Sequence, residues 1–445
     1  MKHHHYLITC FPIQGHINPT LQLAKTLATL GATVTFATSA SGLKRVHDRL
    51  PSPDGLTYAP FSDENTPASD TTTYMTNIRR CGTESLIKII QNSLDTGWPV
   101  TCLVYSLLMP WAAKVARDMN VPSAFLAIQC AAAFAIYSRL FGGGSIDGGE
   151  IDSSVCVKIQ DLPTFSSCDF PTFVLPQNYM HSFMRPMMTE HMKELETLPK
   201  PLVLLNTFQE LEQEAIKELE SKLNVIAIGP LIATSNSFGG DLDNEDKNYL
   251  QWLDSKQEKS VVYIAFGSLV VLSNEQKVEI LKGLVESKRP FLWVVRSLDS
   301  EEEEVKNMFD QEIRNCDGMI VTWCSQTEVL SHKSIGCFVT HCGWNSTLEG
   351  LVSGVPLIGC PHYSDQTTNA KLVEDVWGNG VRARMNGEVV MKREELGKCL
   401  DVVMGEEERG KEIRKRAWLL RGMAMDAVKD GGSTYNNLRK VIDTS

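Results

Sequence analysis

The stretch "CFVTHCGWNSTLEG", residues 337–350, opens as a strand and then changes character. Phe338-Val339-Thr340 gives way to His341, two small residues, Trp344, and a row of amide and hydroxyl side chains, Asn345-Ser346-Thr347. A strand ending at Thr340 and a helix beginning near Asn345 put first-turn N–H groups and the positive end of the helix dipole at the strand's carboxyl end. That arrangement favours an anion, phosphate above all. Asn345 and Ser346 add hydrogen-bond donors, and His341 stands at the strand end within reach of the same anion. No Lys or Arg occurs between Lys333 and Lys371, so such a site leans on backbone dipoles and neutral donors. The same residues also fit an ordinary capped helix with a packed Trp.

Working outward, the alternation of strand and helix recurs on both sides. Strand-like runs follow at "SVVYIAFGS", "FLWVVR", "MIVTW" and "VPLIGC", and Ser273 with Gln276 forms a capping box for a helix running to about Ser287. Near the start, "HYLITCFP" is a strand and "IQGHINPTLQLAKTLATLG" a helix, with Asn18 as cap, Pro19 in the first turn and Gly31 just past the end. Ile17, Leu21, Ala24, Leu27 and Ala28 give that helix one apolar face, and "ATVTFAT" is the next strand. A strand, helix and strand within ~30 residues is a βαβ unit. A similar unit begins at "CLVYS", with its helix from Pro110-Trp111, and residues 121–137 fit a buried strand and helix. Residues 231–248, "LIATSNSFGGDLDNEDKN", have linker composition, and the acidic run Glu301 to Glu304 fits a solvated loop or helix start. The expectation is an α/β chain of two domains with parallel sheets, residues 1–235 and 249–425, whose ligands sit at the carboxyl ends of the strands and face each other across a cleft.

Composition narrows the function. The 445 residues are 43% hydrophobic and 22% charged, ordinary for a soluble enzyme. A net charge of −11 argues against a general binder of nucleic acid or anionic membrane. The short apolar run before Pro12 lacks the length of a signal-peptide core, and residues 121–137 carry Pro, Ser and Gln and fall short of a membrane span. Twelve cysteines without a CxxC pair fit reduced thiols, so a cytoplasmic protein without stable membrane insertion is expected. His3-His4-His5 fits a solvated flank better than a metal site.

Two more strand ends carry chemistry. Trp323 and Gln326 follow "MIVTW", and Asp365 and Gln366 follow "VPLIGC". Trp323 can stack on a planar base, while Asp365 and Gln366 suit sugar hydroxyls. A base platform, a phosphate cradle and a polyol clasp at successive strand ends describe a nucleotide-sugar site.

From Trp323 to Gln366 the sequence resembles the donor-binding signature of plant UDP-dependent glycosyltransferases of family 1. It matches W-x-x-Q, H-x-x-x-G-x-F-x-T-H-C-G-W-N-S-x-x-E, G-V-P and the closing D-Q. The early "PIQGHINPTLQLAKTL" and "LVYSLLMPWAAKVA" are similar to the branch acting on flavonoids, anthocyanins, apocarotenoid and aromatic acids. The resemblance implies a GT-B fold, two Rossmann-like domains, the first binding the acceptor and the second the donor, with residues 426–445 as a helix packing back on the first. It implies Trp323 on uracil, the Cys324 backbone and Gln326 at base and ribose, and Glu349 on the ribose hydroxyls. It assigns His341, Asn345, Ser346 and Ser268 to the diphosphate, and Trp344, Asp365 and Gln366 to the sugar. A closing Gln with Trp344 favours glucose. The implied reaction is inverting, metal-independent glucose transfer from UDP-glucose to a small hydrophobic acceptor by a monomer, with UDP-glucose as co-substrate and no cofactor. The product is a β-glucoside or a glucose ester.

In the family, the histidine of "GHINP", here His16, just before the helix start, is the general base. Its usual Asp partner falls at Ser106, and Asp118 does not match the motif. Without that carboxylate His16 is a poorer base, which makes acids, already ionised near pH 7, at least as good a class of acceptor as phenols. Gln129 falls near a sugar-contacting position of relatives. Asp241-Leu242-Asp243 lies in the linker and fits chance better than a metal motif, and Cys337, His341 and Cys342 lack a second ligand pair, so no metal is expected. The segments 60–85, 137–160 and 165–195 are acceptor-pocket candidates, where Met184, Met187 and Met188 are either an adaptable wall or core. A nucleotide-sugar oxidoreductase or epimerase needs GxGxxG after its first strand, and "CFPIQGHINP" lacks it. The remaining alternatives are a non-catalytic UDP-sugar-binding protein and a family member using another UDP-sugar.

Overall fold

The computed structural model describes residues 4–47, 53–63, 71–143, 151, 154–178, 181–232, 248–296, 303–314, 316–385 and 390–444. The chain divides into two compact units, Met1–Gly239 with Asp426–Ser445, and Gly240–Met425. Most of the linker-like stretch 231–248, and Asp241 and Asp243 with it, lies outside the described residues.

In the first unit the strands are β1 (His5–Thr9), β2 (Thr33–Ala37), β3 (Leu56–Tyr58), β4 (Cys102–Ser106), β5 (Ser123–Ala127), β6 (Leu202–Leu205) and β7 (Asn224–Ala227). The helices between them are α1 (Gln14–Thr29), α2 (Ala40–His47), α3 (Thr71–Asp95), α4 (Pro110–Asp118), α5 (Ala131–Phe141), α6 (His181–Glu196) and α7 (Gln213–Glu220). The sheet is parallel throughout, in the order β3-β2-β1-β4-β5-β6-β7. β1 and β4 are buried at every position, as strands covered on both faces must be. The chain lays β2 and β3 to one side of β1, then returns to place β4 on the other. The carboxyl ends of β1 and β4 therefore flank the point where strand order reverses, the place where open α/β sheets bind ligands.

The second unit repeats this plan. Helix α8 (Asn248–Asp254) precedes β8 (Val261–Ala265), and α9 (Asn274–Ser287), β9 (Phe291–Val294), α10 (Glu303–Arg314), β10 (Gly318–Val321) and α11 (Gln326–Leu330) follow. Then come β11 (Ile335–Thr340), α12 (Trp344–Ser353), β12 (Leu357–Gly359), α13 (Gln366–Lys371), β13 (Gly380–Arg382) and α14 (Arg393–Met404). The parallel order β10-β9-β8-β11-β12-β13 reverses between β8 and β11. Its core gathers Val262, Ile264, Trp293, Val339 and Ile358 from the strands with Leu281, Leu284 and Leu400 from α9 and α14.

Three expectations are corrected. Helix α1 starts at Gln14, not at Asn18: Ile13, in extended conformation, is its cap, and the His16 and Ile17 N–H groups both donate to the Ile13 carbonyl at 2.9 Å. Pro19 therefore sits inside the helix and His16 on its first turn. Gln276 does not complete a capping box. The Ser273 hydroxyl accepts from the Gln276 N–H, but the Gln276 side chain exchanges two hydrogen bonds with the Met391 backbone. His5 is no solvated flank, for it is buried in β1, with one ring nitrogen 3.0 Å from the Trp98 carbonyl and the other 2.9 Å from Thr35 Oγ1. The acidic run after Ser300 is in part a helix start, since α10 begins at Glu303.

The chain ends in α15 (Glu408–Val428) and α16 (Ser433–Thr444). Helix α16 is fastened to the first unit's sheet. The Tyr6 hydroxyl donates to the Val441 carbonyl at 2.9 Å, Asn437 Nδ2 to the Ala227 carbonyl at 2.9 Å, and the buried Thr434 hydroxyl to the Gly229 carbonyl. Among the described residues no helix is long and apolar enough to cross a membrane. Because Leu438 and Val441 are buried, Leu438→Ala is expected to lower the stability of the first unit by about 2–4 kcal/mol. A calorimetric melt checks this, and an unchanged first transition would show that α16 adds nothing to it.

Candidate active site

At the reversal point of the second unit, His341 follows the last residue of β11. Its imidazole occupies space that two glycines leave. A Cβ at Gly267, which has φ +70°, would lie 2.6 Å from the ring, and one at Gly343 would lie 2.5 Å from it. Cys342, at φ 60°, turns the chain toward α12, and its N–H donates to Thr340 Oγ1 at 3.3 Å. Burial pushes the His341 imidazole down to about 3, helped by the nearby positive charges of His362 and Arg296. It is a neutral ring at any physiological pH. Gly343 caps α12 without a side-chain bond, so no side chain of the cap covers the helix start.

The base-side residues form one network. Gln326, first in α11, donates from Nε2 to Ser346 Oγ at 2.9 Å and to Glu349 Oε2 at 2.5 Å. Its Oε1 accepts from the Tyr263 hydroxyl at 3.3 Å, and that hydroxyl lies 3.4 Å from Cys324 Sγ. Enclosure raises the Glu349 carboxyl to about 7, a rise that the Gln326 hydrogen bond opposes. Trp323, half-buried, stands in the loop between β10 and α11. A second network joins the other two strand ends. Asn369 donates from Nδ2 to the Cys342 carbonyl at 2.8 Å and to Asp365 Oδ2 at 3.0 Å. Gln366 Oε1 accepts from the His362 and Tyr363 N–H groups at 2.9 and 3.0 Å, which fixes its amide with the NH2 directed elsewhere.

The structure thus links Cys324, Gln326, Ser346 and Glu349 through Tyr263 and Gln326 on one side, and on the other ties the Cys342 turn after His341 to Asp365 through Asn369; Trp323 and Gln366 adjoin these groups in sequence. Ser268, exposed, follows the glycine that clears His341, and Asn345 lies on the first turn of α12. Trp344 differs: its indole is 4% exposed and packs inward against Trp377 at 6.0 Å, so its backbone is what it offers at the helix start. Tyr263 and Asn369 escaped the sequence reading. The first is one apolar residue in a wholly buried strand, and the second partners a backbone carbonyl 27 residues earlier.

In the first unit His16 is 8% exposed, with Phe11 edge-on at 6.0 Å. Burial pushes its imidazole down to about 4, partly opposed by the Leu107 backbone. Its Nδ1 meets no hydrogen-bond partner among the described residues. Ser106 does not supply one, since its buried hydroxyl points to the Leu107 carbonyl at 3.4 Å. Asp118 is exposed and pairs with Lys114 at 2.9 Å. Gln129 is buried between β5 and α5, at the same edge of the sheet. His191 was not singled out by sequence. It is fully buried on α6, stacked on Tyr105 at 6.1 Å, and neither ring nitrogen has a partner among the described residues. Met184 and Met188 are core, and Met187 is half-buried.

Residues 177–419 match the family described as UDP-glucoronosyl and UDP-glucosyl transferase. The chain is 44% identical to phloretin 4'-O-glucosyltransferase of Malus domestica, over 100% of this chain and 98% of that one. It is 42% identical to a chloroplastic crocetin glucosyltransferase of Gardenia jasminoides, with the same coverage. Among solved structures, Os79 from O. sativa in complex with UDP superposes with a TM-score of 0.84 at 30% identity, covering 98% of this chain and 99% of that one.

Glu349 provides a test of the site's electrostatics. Its folded pKa of about 7 lies above the ordinary 4.5, so the folded protein holds a proton that the unfolded chain has lost between those values. The stability contributed by this group is full below about 4.5 and is lost as pH rises through 7. Glu349→Gln should therefore melt higher than the wild type at pH 8 and alike near pH 4.5. Equal melting temperatures at pH 8 would mean the carboxylate is not enclosed as described.

Proposed function

This chain is a UDP-dependent glycosyltransferase of the GT-B fold, a member of the UDP-glucoronosyl and UDP-glucosyl transferase family, and we propose that it transfers glucose from UDP-glucose to a small hydrophobic plant metabolite bearing a phenolic hydroxyl or a carboxylate. The observation that carries the donor assignment is the Gln326–Ser346–Glu349 network beside the start of α12. Trp323 stacks on uracil, while Gln326 and the Cys324 backbone meet base and ribose. Glu349 takes the ribose hydroxyls. The diphosphate lies against the first turn of α12, with His341, Asn345, Ser346 and Ser268 as neutral donors. Asp365 and the NH2 of Gln366 hold the sugar hydroxyls, joined by the Trp344 backbone, and Gln129 is a further candidate for a sugar contact. The reaction needs no metal, because α12 and these donors meet the leaving charge.

The first unit binds the acceptor and the second the donor. The acceptor oxygen attacks the anomeric carbon as the bond to the diphosphate oxygen breaks, with inversion, and UDP leaves. A phenol gives its proton to His16; a carboxylate arrives without one. Named relatives include a crocetin glucosyltransferase and a phloretin 4'-O-glucosyltransferase, which supports both acceptor classes. Twelve cysteines without a CxxC pair suit a reducing compartment, and we assign the monomer to the cytoplasm.

The test is UDP release from UDP-glucose with a panel of phenols and carboxylic acids, for wild type and His16→Ala. Phenol turnover should fall ~10²–10⁴-fold in the variant, with acid turnover largely kept. Because His16 titrates at about 4, wild-type phenol turnover should hold its base-dependent rate down to pH 5 rather than falling below 6.5. Wild-type turnover of phenols with none of any acid would overturn the acceptor assignment, and no UDP release with any acceptor would overturn the function.

A further inference from the structure

At the amino ends of β5 and β6, the edge of the first unit's sheet opposite His16, lies a cavity of about 120 Å³ between α4, α6 and the sheet. Phe125, Val121, Leu195, Leu198 and Leu202 make its walls largely apolar. The Arg117–Glu194 ion pair, 2.5 Å, closes its rim, with Thr197 Oγ1 3.4 Å from the guanidinium. The remaining polar side chains are those of Ser123 and Tyr105. Tyr105 is only 2% exposed, and its hydroxyl makes no hydrogen bond among the described residues. Because this hydroxyl lines the cavity and bonds no described residue, it is open to a hydrogen bond with an occupant.

We propose that this cavity is a binding site for a small neutral phenol, its ring against the apolar walls and its hydroxyl bonded to Tyr105. Three features set the ligand class. A volume of this order admits one six-membered ring, since an apolar cavity of about 150 Å³ is enough to take benzene. The unpartnered hydroxyl asks for a single polar group. The rim charges Arg117 and Glu194 already match each other and the walls are largely apolar, so a carboxylate entering would be buried without a partner, and the occupant is uncharged. The site is separate from the transfer chemistry, because β5 runs from Ser123 at the cavity to Ala127, and Gln129 follows at the opposite edge.

Crystals of the full chain soaked in 4-bromophenol locate the ligand by the anomalous signal of bromine. The expected result is a bromine peak in this cavity, with the phenol oxygen within hydrogen-bond distance of Tyr105 Oη. Tyr105→Phe keeps the ring packing against Phe125 and His191 and should lower the cavity occupancy at least about threefold. Soaks with 4-bromobenzoate should leave the cavity empty. Bromine found elsewhere alone, equal occupancy in Tyr105→Phe, or benzoate binding as well as the phenol would each overturn the proposal. Leu195→Phe, which narrows the cavity without touching the hydroxyl, should also abolish the peak; a peak unchanged there would overturn it too.

Discussion

The imidazole of His341 fits only because two backbone positions around it have no side chain. Gly267 ends the turn after β8, Gly343 starts α12, and a Cβ on either would overlap the ring. One ring contact therefore fixes two loops to each other at the point where strand order reverses. Ser268 is carried there with Gly267, and Asn345 and Ser346 with Gly343. The Cys342 turn between them is held from the far side by Asn369, which also holds Asp365. Contacts made from the loop after β8, the end of β11 and α13 thus converge on one turn of chain. A site assembled from strand ends needs such a junction, because the strands alone fix height and spacing but not the direction of the loops.

Enclosure sets the charges of these groups. His16 is held down at about 4 and His341 at about 3, both by burial, while Glu349 is held up at about 7. Near neutral pH both imidazoles are uncharged, so they act as directional hydrogen-bonding groups. An anion in the second unit is then met mainly by the helix start and neutral donors, with the Arg296 charge within electrostatic range of His341. Buried neutral histidines have a cost at low pH. Their folded pKa values lie below the ordinary 6.5, so the unfolded chain binds protons first, and the stability they contribute is lost as pH falls from about 6.5 toward 4 and 3.

In the second unit, strand ends and helix starts were legible because they follow from local pattern: an apolar run, then Gly, His and small polar residues. The parallel α/β architecture followed from their alternation. What the sequence hid is of two kinds. Strands buried on both faces have no period-two pattern, so nothing marked Tyr263 as the residue whose hydroxyl reaches Gln326. Partners distant in sequence were equally hidden: Gln276 looked like a local cap yet bonds Met391, and His5 looked like a flank yet bonds Trp98 and Thr35. The start of α1 differs from its sequence pattern for a related reason. Asn18-Pro19 is good local chemistry for a helix start, but extended Ile13 begins the helix a turn earlier and puts His16 on its first turn.

That shift bears on how His16 can work. On the first turn its ring is enclosed, Ser106 offers its hydroxyl to the Leu107 carbonyl, and Asp118 is out on the surface with Lys114. No carboxylate among these candidates stabilises an imidazolium, and burial makes that ion harder still to form. If His16 takes the acceptor proton, an imidazole titrating at about 4 lies roughly six units below a phenol of pKa ~10, so full proton transfer before attack is strongly uphill. Two routes avoid that climb. The proton can move late, as the acceptor oxygen loses electron density to the anomeric carbon and its own acidity rises, or the acceptor can arrive ionised. The second route makes no demand on His16 at all, which is why a serine at position 106 costs an acid-accepting enzyme little and a phenol-accepting one much more.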